Sequence, residues 1–395
     1  MEGHNYNPKR TVLILMPGMP RGGTEISLLN FLSIMDFSKY DVTLLLIERA
    51  GELLASIPQM VHIQTVHFDS EKYLSIARQR NRPSWLYRQL VKIGAKTNLY
   101  ALPPYGYKKA LRHCSVPDCA YDLAIDYHGY GSFCTPLLVE KVHAKRKARV
   151  IHGDNLHGMK TLVRWLSGLN VILDVSETCR RAVCQTFPKL AARHYILPNI
   201  VDDVSIRKKA AMNVSLNGNT AKGFLLCTVG RMEYEKGYDI AVQTAKILKE
   251  KHQAFTWIFV GDGSERRNIE KSIEANNLNE DIILTGMQSN PYPYIRMADM
   301  YVQPSRNEGF GLTVEEAQII GTPVVASDLP AIREHFSDDQ SGILVSPSAE
   351  TFAKIIANCM QDKQLLLKWR NYLKTRSMDN TPYQLVNKCL NEILE

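Results

Sequence analysis

Residues 304–317 read Pro304-Ser305-Arg306-Asn307-Glu308-Gly309-Phe310-Gly311-Leu312-Thr313-Val314-Glu315-Glu316-Ala317. Met300–Gln303 before them is a short run of strand type, and Thr313–Ile320 carries apolar residues at helical spacing. Gly309 and Gly311 sit in the turn, where a backbone without Cβ atoms lets amides approach a ligand closely. A helix beginning near Leu312 presents free N–H groups and its positive end to the turn, which favours an anion such as a diphosphate. Glu308 stands before the turn and Glu316 about one turn into the helix. A carboxylate on each side of an anion site can accept hydroxyls from two sugars flanking that anion. A glycine turn with two solvated glutamates reads the same way from this stretch alone.

Working outward, strand and helix patterns keep alternating. Phe224–Val229, Thr256–Val260, Ile282–Thr285, Pro323–Ala326 and Gly342–Val345 read as strands. Asp239–Lys251, Glu265–Asn276, Ser348–Met360 and the stretch from Lys363 read as helices. The first half repeats the rhythm: strands at Thr11–Met16, Val42–Ile47, His62–Val66, Asp122–Asp126, Arg149–His152 and Val171–Ser176, with a helix over Glu25–Met35. Such alternation implies parallel sheets covered on both faces. Pro198–Gly223 breaks it with Asp202-Asp203, the basic run Arg207–Lys209 and Asn217-Gly218-Asn219, and reads as a domain boundary. The expectation is an α/β protein of two tandem Rossmann-like domains, 1–200 and 201–375, with 376–395 as a C-terminal helix crossing back to the first.

Composition narrows the class. At 395 residues, 45% apolar and 22% charged, the chain is an ordinary globular protein with ample core, not a disordered one. No apolar run approaches the ~18 residues of a transmembrane helix, and the polar start is unlike a signal peptide. Eight cysteines without Cys-x-x-Cys spacing form neither a disulfide framework nor a zinc site, so reduced thiols in a cytoplasm are expected. The net charge of +8 is local: residues 72–117 hold ten Lys or Arg and no Asp or Glu, and the rest of the chain sums to −2 (38 basic, 40 acidic). An evenly basic nucleic-acid binder would look different, so nucleic acid is not an expected partner.

Two further loops carry chemistry. Val229-Gly230-Arg231-Met232-Glu233-Tyr234-Glu235-Lys236-Gly237 follows a strand and precedes a helix. Arg231 and Lys236 can converge on one anion and do the work of a metal ion at a leaving diphosphate; a salt-bridged surface loop with Glu233 and Glu235 is the alternative. Gly22-Gly23-Thr24-Glu25, at the first strand-to-helix turn, is compatible with phosphate but is not Gly-x-Gly-x-x-Gly, so dinucleotide binding is not supported. Asp-x-Asp, a metal-binding pattern, occurs nowhere.

Together these loops resemble the family-4 retaining glycosyltransferases of GT-B fold, in which two Rossmann-like domains face each other across a cleft. Glu308 and Glu316 match the family's Glu-x₇-Glu, and Arg231 and Lys236 its Gly-Arg…Lys-Gly element. Gly22-Gly23-x-Glu25 matches its N-terminal loop, Pro198-Asn199-Ile200-Val201-Asp202 its domain junction, and Gly321-Thr322-Pro323-Val324-Val325-Ala326 a strand. The resemblance covers nearly the whole chain and is weakest over residues 50–150. It implies that Gly230, Arg231, Lys236, Gly309 and the amides of Phe310, Gly311 and Leu312 hold the diphosphate of a nucleotide sugar, with Gly22 and Gly23 adding to the site. Glu316 then takes the ribose and Glu308 the transferred hexose. A histidine near the reacting sugar is implied as well. His152 is the choice and His128 the rival, with Asp126 and Asp154 as acceptor-side carboxylates.

The resemblance further implies transfer with retention and without a metal cofactor, through a front-face mechanism in which the departing phosphate helps deprotonate the acceptor. A UDP-sugar is the expected donor, with a GDP-sugar second. A glycan or lipid-linked acceptor in surface polysaccharide assembly is the expected partner. Residues 85–96 can be drawn as a helix with Arg88, Lys92 and Lys96 beside Trp85. Lys108, Lys109 and Arg112 follow, with Tyr100, Tyr105 and Tyr107 interleaved. Such a stretch suits either an anionic membrane surface, which would put the protein peripherally on the inner face of the cell membrane, or an ordinary amphipathic helix packed on the sheet. An epimerase or hydrolase of the same fold, and a catalytically silent sugar-nucleotide binder, are the rival readings.

Overall fold

Continuous apolar runs such as Val12–Met16, nearly inaccessible along their whole length, are what a parallel strand covered on both faces requires. They build two separate sheets in a computed structural model that describes residues 8–69, 104–129, 132–154, 156–216, 221–336, 340–375 and 381–395. The chain divides into one unit of Met1–Ile200 with Asn380–Glu395, and a second of Val201–Asp379.

In the first unit the strands are β1 (Arg10–Met16), β2 (Tyr40–Leu46), β3 (His62–Thr65), β4 (His67–Phe68), β5 (Cys114–Ser115), β6 (Ala120–Asp126), β7 (His143–Ile151), β8 (Val171–Asp174) and β9 (Arg193–Ile196). Seven of them pair in parallel in the order β3-β2-β1-β6-β7-β8-β9, and β4 and β5 form a separate antiparallel pair. The helix Thr381–Leu394 belongs to this unit: Val386, Cys389, Leu390 and Ile393 are buried, and Tyr40 Oη donates to Asn391 Oδ1 at 3.2 Å.

The second unit holds β10 (Phe224–Val229), β11 (Phe255–Val260), β12 (Ile282–Gly286), β13 (Met300–Gln303), β14 (Val324–Ser327) and β15 (Gly342–Val345), all parallel, in the order β12-β11-β10-β13-β14-β15. Alternate residues of one strand go to opposite layers. Leu226 packs with Trp257, Phe259 and Phe352 on one face, Leu225 and Cys227 with Tyr294, Ala317 and Ile332 on the other. In both units the order reverses beside the first strand, between β1 and β6 and between β10 and β13. Such a reversal at the carboxyl edge of a parallel sheet is where open α/β folds bind ligands.

Some local expectations change. Residues 203–210, read as part of a structureless boundary, form the helix Asp203–Ala210: the Asp202 side chain accepts from Ser205 N and caps it, and Ile206 and Ala210 are buried. The half-exposed strand β9 was not foreseen, because Arg193 and His194 lack a strand's apolar signature and are held by pairing with β8. Tyr107, read as an aromatic interleaved with surface cations, is core, its ring 5.2 Å from that of Phe133 and 6.1 Å from that of Trp165. Lys72, Arg78, Arg80, Arg82, Arg88, Lys92, Lys96, Trp85, Tyr100 and the helix drawn over 85–96 lie outside the described residues, as does Asn217-Gly218-Asn219. Among the described residues no helix is long and apolar enough to cross a membrane.

Candidate active site

The loops after β10 and β13 carry most of the expected site, and they are built as one body. Gly237 sits at φ 67°, and a Cβ there would lie 2.0 Å from the Pro304 carbonyl oxygen, so glycine is needed both for the left-handed conformation and for the close approach. Arg306 bolts the loops together. Its amide donates to Glu235 O at 2.7 Å, its guanidinium grips both Asp239 oxygens at 2.7 and 2.6 Å, and it stacks 4.2 Å from the Tyr234 ring centre.

Clamping brings Lys236 to Glu308. Lys236 Nζ donates to both carboxylate oxygens, at 2.7 Å to Oε1 and 2.8 Å to Oε2. Glu308 is buried, its side chain only 6% exposed against 26% for Lys236. Oε1 also accepts from Gln303 Nε2 and from Ser305 Oγ, each at 2.7 Å. Three donors on one oxygen keep a buried carboxylate from being an isolated charge.

Gly311, at φ 88°, ends the β13 loop and starts the helix Leu312–Ile320; a Cβ there would meet Ile332 Cδ1 at 2.4 Å. The amides of Phe310, Gly311 and Leu312 have no main-chain acceptor among the described residues. His335 Nε2 donates to the Phe310 carbonyl, and its ring meets Phe310 edge-on at 4.6 Å. In a trans peptide the C=O and N–H point opposite ways, so this bond turns the Gly311 N–H away from His335. Gly230 O accepts from Tyr238 Oη at 2.9 Å, and Arg231 is exposed, with its charge near enough to Glu233 to help the Ser264 hydrogen bond hold that carboxyl down. Glu316 is buried one turn into the helix, where Tyr292 Oη donates to its Oε1 at 3.0 Å. Burial pushes its carboxyl up to about 7, against the opposing pull of the Tyr292 hydrogen bond and the Lys209 charge.

Gly22, Gly23 and His152 lie in the other unit, at that unit's own strand reversal. Gly22 is the extended N-cap of the helix Gly23–Ser33, and the Glu25 carboxylate folds back until Oε2 lies 2.4 Å from where a Gly22 Cβ would be. His152 follows β7 and is buried, with Nε2 2.6 Å from Tyr127 O; a carbonyl only accepts, so Nε2 carries the proton. His128 lies in the same cluster after β6. Burial first, and the Arg149 charge with it, push both histidines down to about 4, so both are neutral at pH 7. Asp126 and Arg149 are buried there and joined through Thr135, whose hydroxyl donates to Asp126 Oδ2 at 2.5 Å and accepts from Arg149 at 2.6 Å. Asp154 has a buried Oδ1 without a partner among the described residues.

Gln303, Tyr292, Arg306 and His335 are among the residues around Glu308 and Glu316 that reading the sequence missed. One signal was available for Gln303: a polar residue at the end of the apolar strand Met300-Tyr301-Val302 must find partners when buried. Among the described residues no group of three or more His, Cys, Asp or Glu converges on a common point as a metal cage would.

Known proteins bear on the same region. Residues 216–376 match the family model for glycosyl transferases group 1. An Escherichia coli protein named O-antigen biosynthesis glycosyltransferase WclY is 31% identical over 147 residues, 37% of this chain and 40% of that one. A Campylobacter jejuni N-acetylgalactosamine-N,N'-diacetylbacillosaminyl-diphospho-undecaprenol 4-alpha-N-acetylgalactosaminyltransferase is 26% identical over 210 residues, 53% of this chain and 55% of that one. The matches thus span about half the length of these curated relatives or less. The Anabaena protein HepE, solved in complex with UDP, aligns over 97% of this chain and 100% of its own at 18% identity and a TM-score of 0.63, a likeness of fold. The chain therefore has a GT-B fold of two tandem Rossmann-like units, and the unit that carries Lys236, Glu308 and Glu316 matches glycosyl transferases group 1.

Proposed function

We propose that the protein transfers a hexosyl group, with retention of configuration, from a UDP-sugar to a glycan or lipid-linked acceptor in surface polysaccharide assembly. The observation that carries this reading is the Lys236–Glu308 pair, held between two clamped loops beside the open amides of Phe310, Gly311 and Leu312. A diphosphate there meets a cation, a helix N-terminus and, from Arg231, a second cation, which together offset the charge that grows on the leaving group. Glu308 stabilises the positive charge developing at the anomeric carbon, and Glu316 accepts the ribose hydroxyls. UDP is preferred because HepE was solved with it, and the acceptor class follows the names of the two curated relatives.

Arg231 and Lys236 replace a divalent metal in this scheme. Release of UDP from a UDP-sugar, with acceptor present, should survive excess EDTA; loss that Mn²⁺ or Mg²⁺ restores would overturn the metal-free assignment. Incubation with donor alone separates the rivals, since an epimerase or hydrolase forms product without acceptor.

Glu316 gives the site a pH signature. Its folded value of about 7 stands above the ordinary 4.5, so between those pH values the folded protein holds a proton that the unfolded chain releases. Folding stability contributed by this group falls as pH rises through that window, by about 3 kcal/mol in all. Ribose hydroxyls need the ionised acceptor, so UDP affinity should rise toward pH 7 and level off above it. Glu316→Gln should flatten both profiles and weaken UDP about tenfold. Calorimetry and thermal unfolding from pH 5 to pH 8 check this, and an unchanged UDP affinity in the variant would remove Glu316 from the nucleotide.

A further inference from the structure

Gln303 and Tyr301 lie beneath the donor loop with essentially no exposure, and the sequence motif does not include them. The Tyr301 hydroxyl, kept protonated by burial, donates to Gln303 Oε1, and Thr313 Oγ1 donates to the same oxygen at 3.2 Å. That leaves the amide nitrogen facing Ser305 Oγ at 2.8 Å and Glu308 Oε1 at 2.7 Å. The opposite orientation would set a carbonyl oxygen against a carboxylate oxygen and leave Glu308 without this donor, so the Tyr301 proton, whose other acceptor is Val229 O at 3.2 Å, supports the amide orientation that feeds Glu308. The two oxygens of Glu308 are thereby made unequal. Oε1 is filled by Lys236, Gln303 and Ser305, whereas Oε2 has Lys236 as its one partner among the described residues.

We infer that Gln303, oriented by Tyr301 and working with Ser305, is a positioning residue that immobilises Glu308 through Oε1 and presents Oε2 to the sugar of the donor. The inference rests on the transferase reading above. A carboxylate must stand within about half an ångström of its productive position to stabilise developing charge, and a long side chain carries enough rotamer freedom to leave it. Gln303 removes that freedom in the resting protein, so no ordering remains for the transition state. The effect belongs to turnover and not to nucleotide affinity, because Gln303 touches Glu308 and not the amides of Phe310–Leu312.

The test uses the full chain with an undecaprenyl-diphosphate-linked N-acetylhexosamine as acceptor and UDP-glucose, UDP-galactose, UDP-N-acetylglucosamine or UDP-N-acetylgalactosamine as donor, reading acceptor-dependent UDP release, together with UDP affinity by calorimetry. In Gln303→Met, which keeps length but not the donor, UDP affinity should stay within about threefold while the rate falls about 10- to 100-fold, the value of one hydrogen bond to a charged group. Ser305→Ala should act in the same direction, and Ser305→Thr, which restores the hydroxyl, should recover the rate. Combining Gln303→Met with Glu308→Gln should cost nothing beyond Glu308→Gln alone, since a positioning residue has no effect once the group it positions is gone. A wild-type rate in Gln303→Met, or an equal further loss in the double variant, overturns this inference and leaves the transferase reading standing. A wild-type chain that binds UDP and releases it from none of the four donors overturns both, as does one that does not bind UDP.

Discussion

Glu308→Gln should bind UDP at least as tightly as the unaltered protein and release it from a UDP-sugar about 10²- to 10³-fold more slowly. The substitution keeps the length of the side chain and its contacts with Gln303 and Ser305, and removes the charge. Two consequences follow from the geometry. Lys236, which now gives its charge to both Glu308 oxygens at 2.7 and 2.8 Å, becomes available to the diphosphate without competition, so affinity holds or rises a few-fold. The anomeric carbon loses the anion that stabilises its developing positive charge, so the benefit disappears mainly from the transition state and appears in turnover. Calorimetry with UDP and steady-state rates separate the two. A variant that loses UDP affinity and rate in equal measure would mean that Glu308 serves the nucleotide and not the sugar.

Much of this was legible in the sequence because the informative signals are local. The turn Gly309–Gly311 and the apolar run before it specify a strand, a tight loop and a helix N-terminus, and β13 and the helix Leu312–Ile320 occur there. The pairing of Lys236 with Glu308 was not legible. Each was read as facing the donor, and what joins them is the reversal of strand order that sets β10 beside β13, a property of the whole sheet. Gln303 was missed for a different reason: its partners Tyr301, Ser305, Glu308 and Thr313 are all close in sequence, but only the path of the β13 loop folds them back onto its amide. The helix Asp203–Ala210 was missed because its cap, Asp202, was read as part of a charged linker. Charge patterning over 72–117 pointed toward a surface, and the one aromatic of that group with a described side chain, Tyr107, packs inward: a tyrosine with two aromatic neighbours gains more from burial than from water.

The two cations expected at the diphosphate are unequal in this structure, and their removal should show it. Arg231 is exposed and meets only the solvated charge of Glu233, so Arg231→Ala should change stability by no more than about 0.5 kcal/mol. It should lower the rate on the order of 10²-fold, and its contribution to UDP affinity should shrink as salt rises, as an accessible charge is screened. Lys236→Ala does more. It takes a cation from the diphosphate and strips the only described partner from Oε2 of a carboxylate that is 6% exposed. Gln303 and Ser305 still hold Oε1, which limits the damage to about 1–3 kcal/mol of unfolding free energy for the second unit, below the cost of breaking a fully buried pair. The rate should fall about 10³-fold, because the leaving group loses a charge and Glu308 loses its anchor. Adding Glu308→Gln should then restore stability: with the uncompensated carboxylate gone, the double variant should be more stable than Lys236→Ala alone and no faster. Denaturant unfolding of the two single variants and the double variant measures that coupling. Simple additivity would mean that the bond between Lys236 and Glu308 carries no energy in the folded protein, and the division of roles built on it would fall.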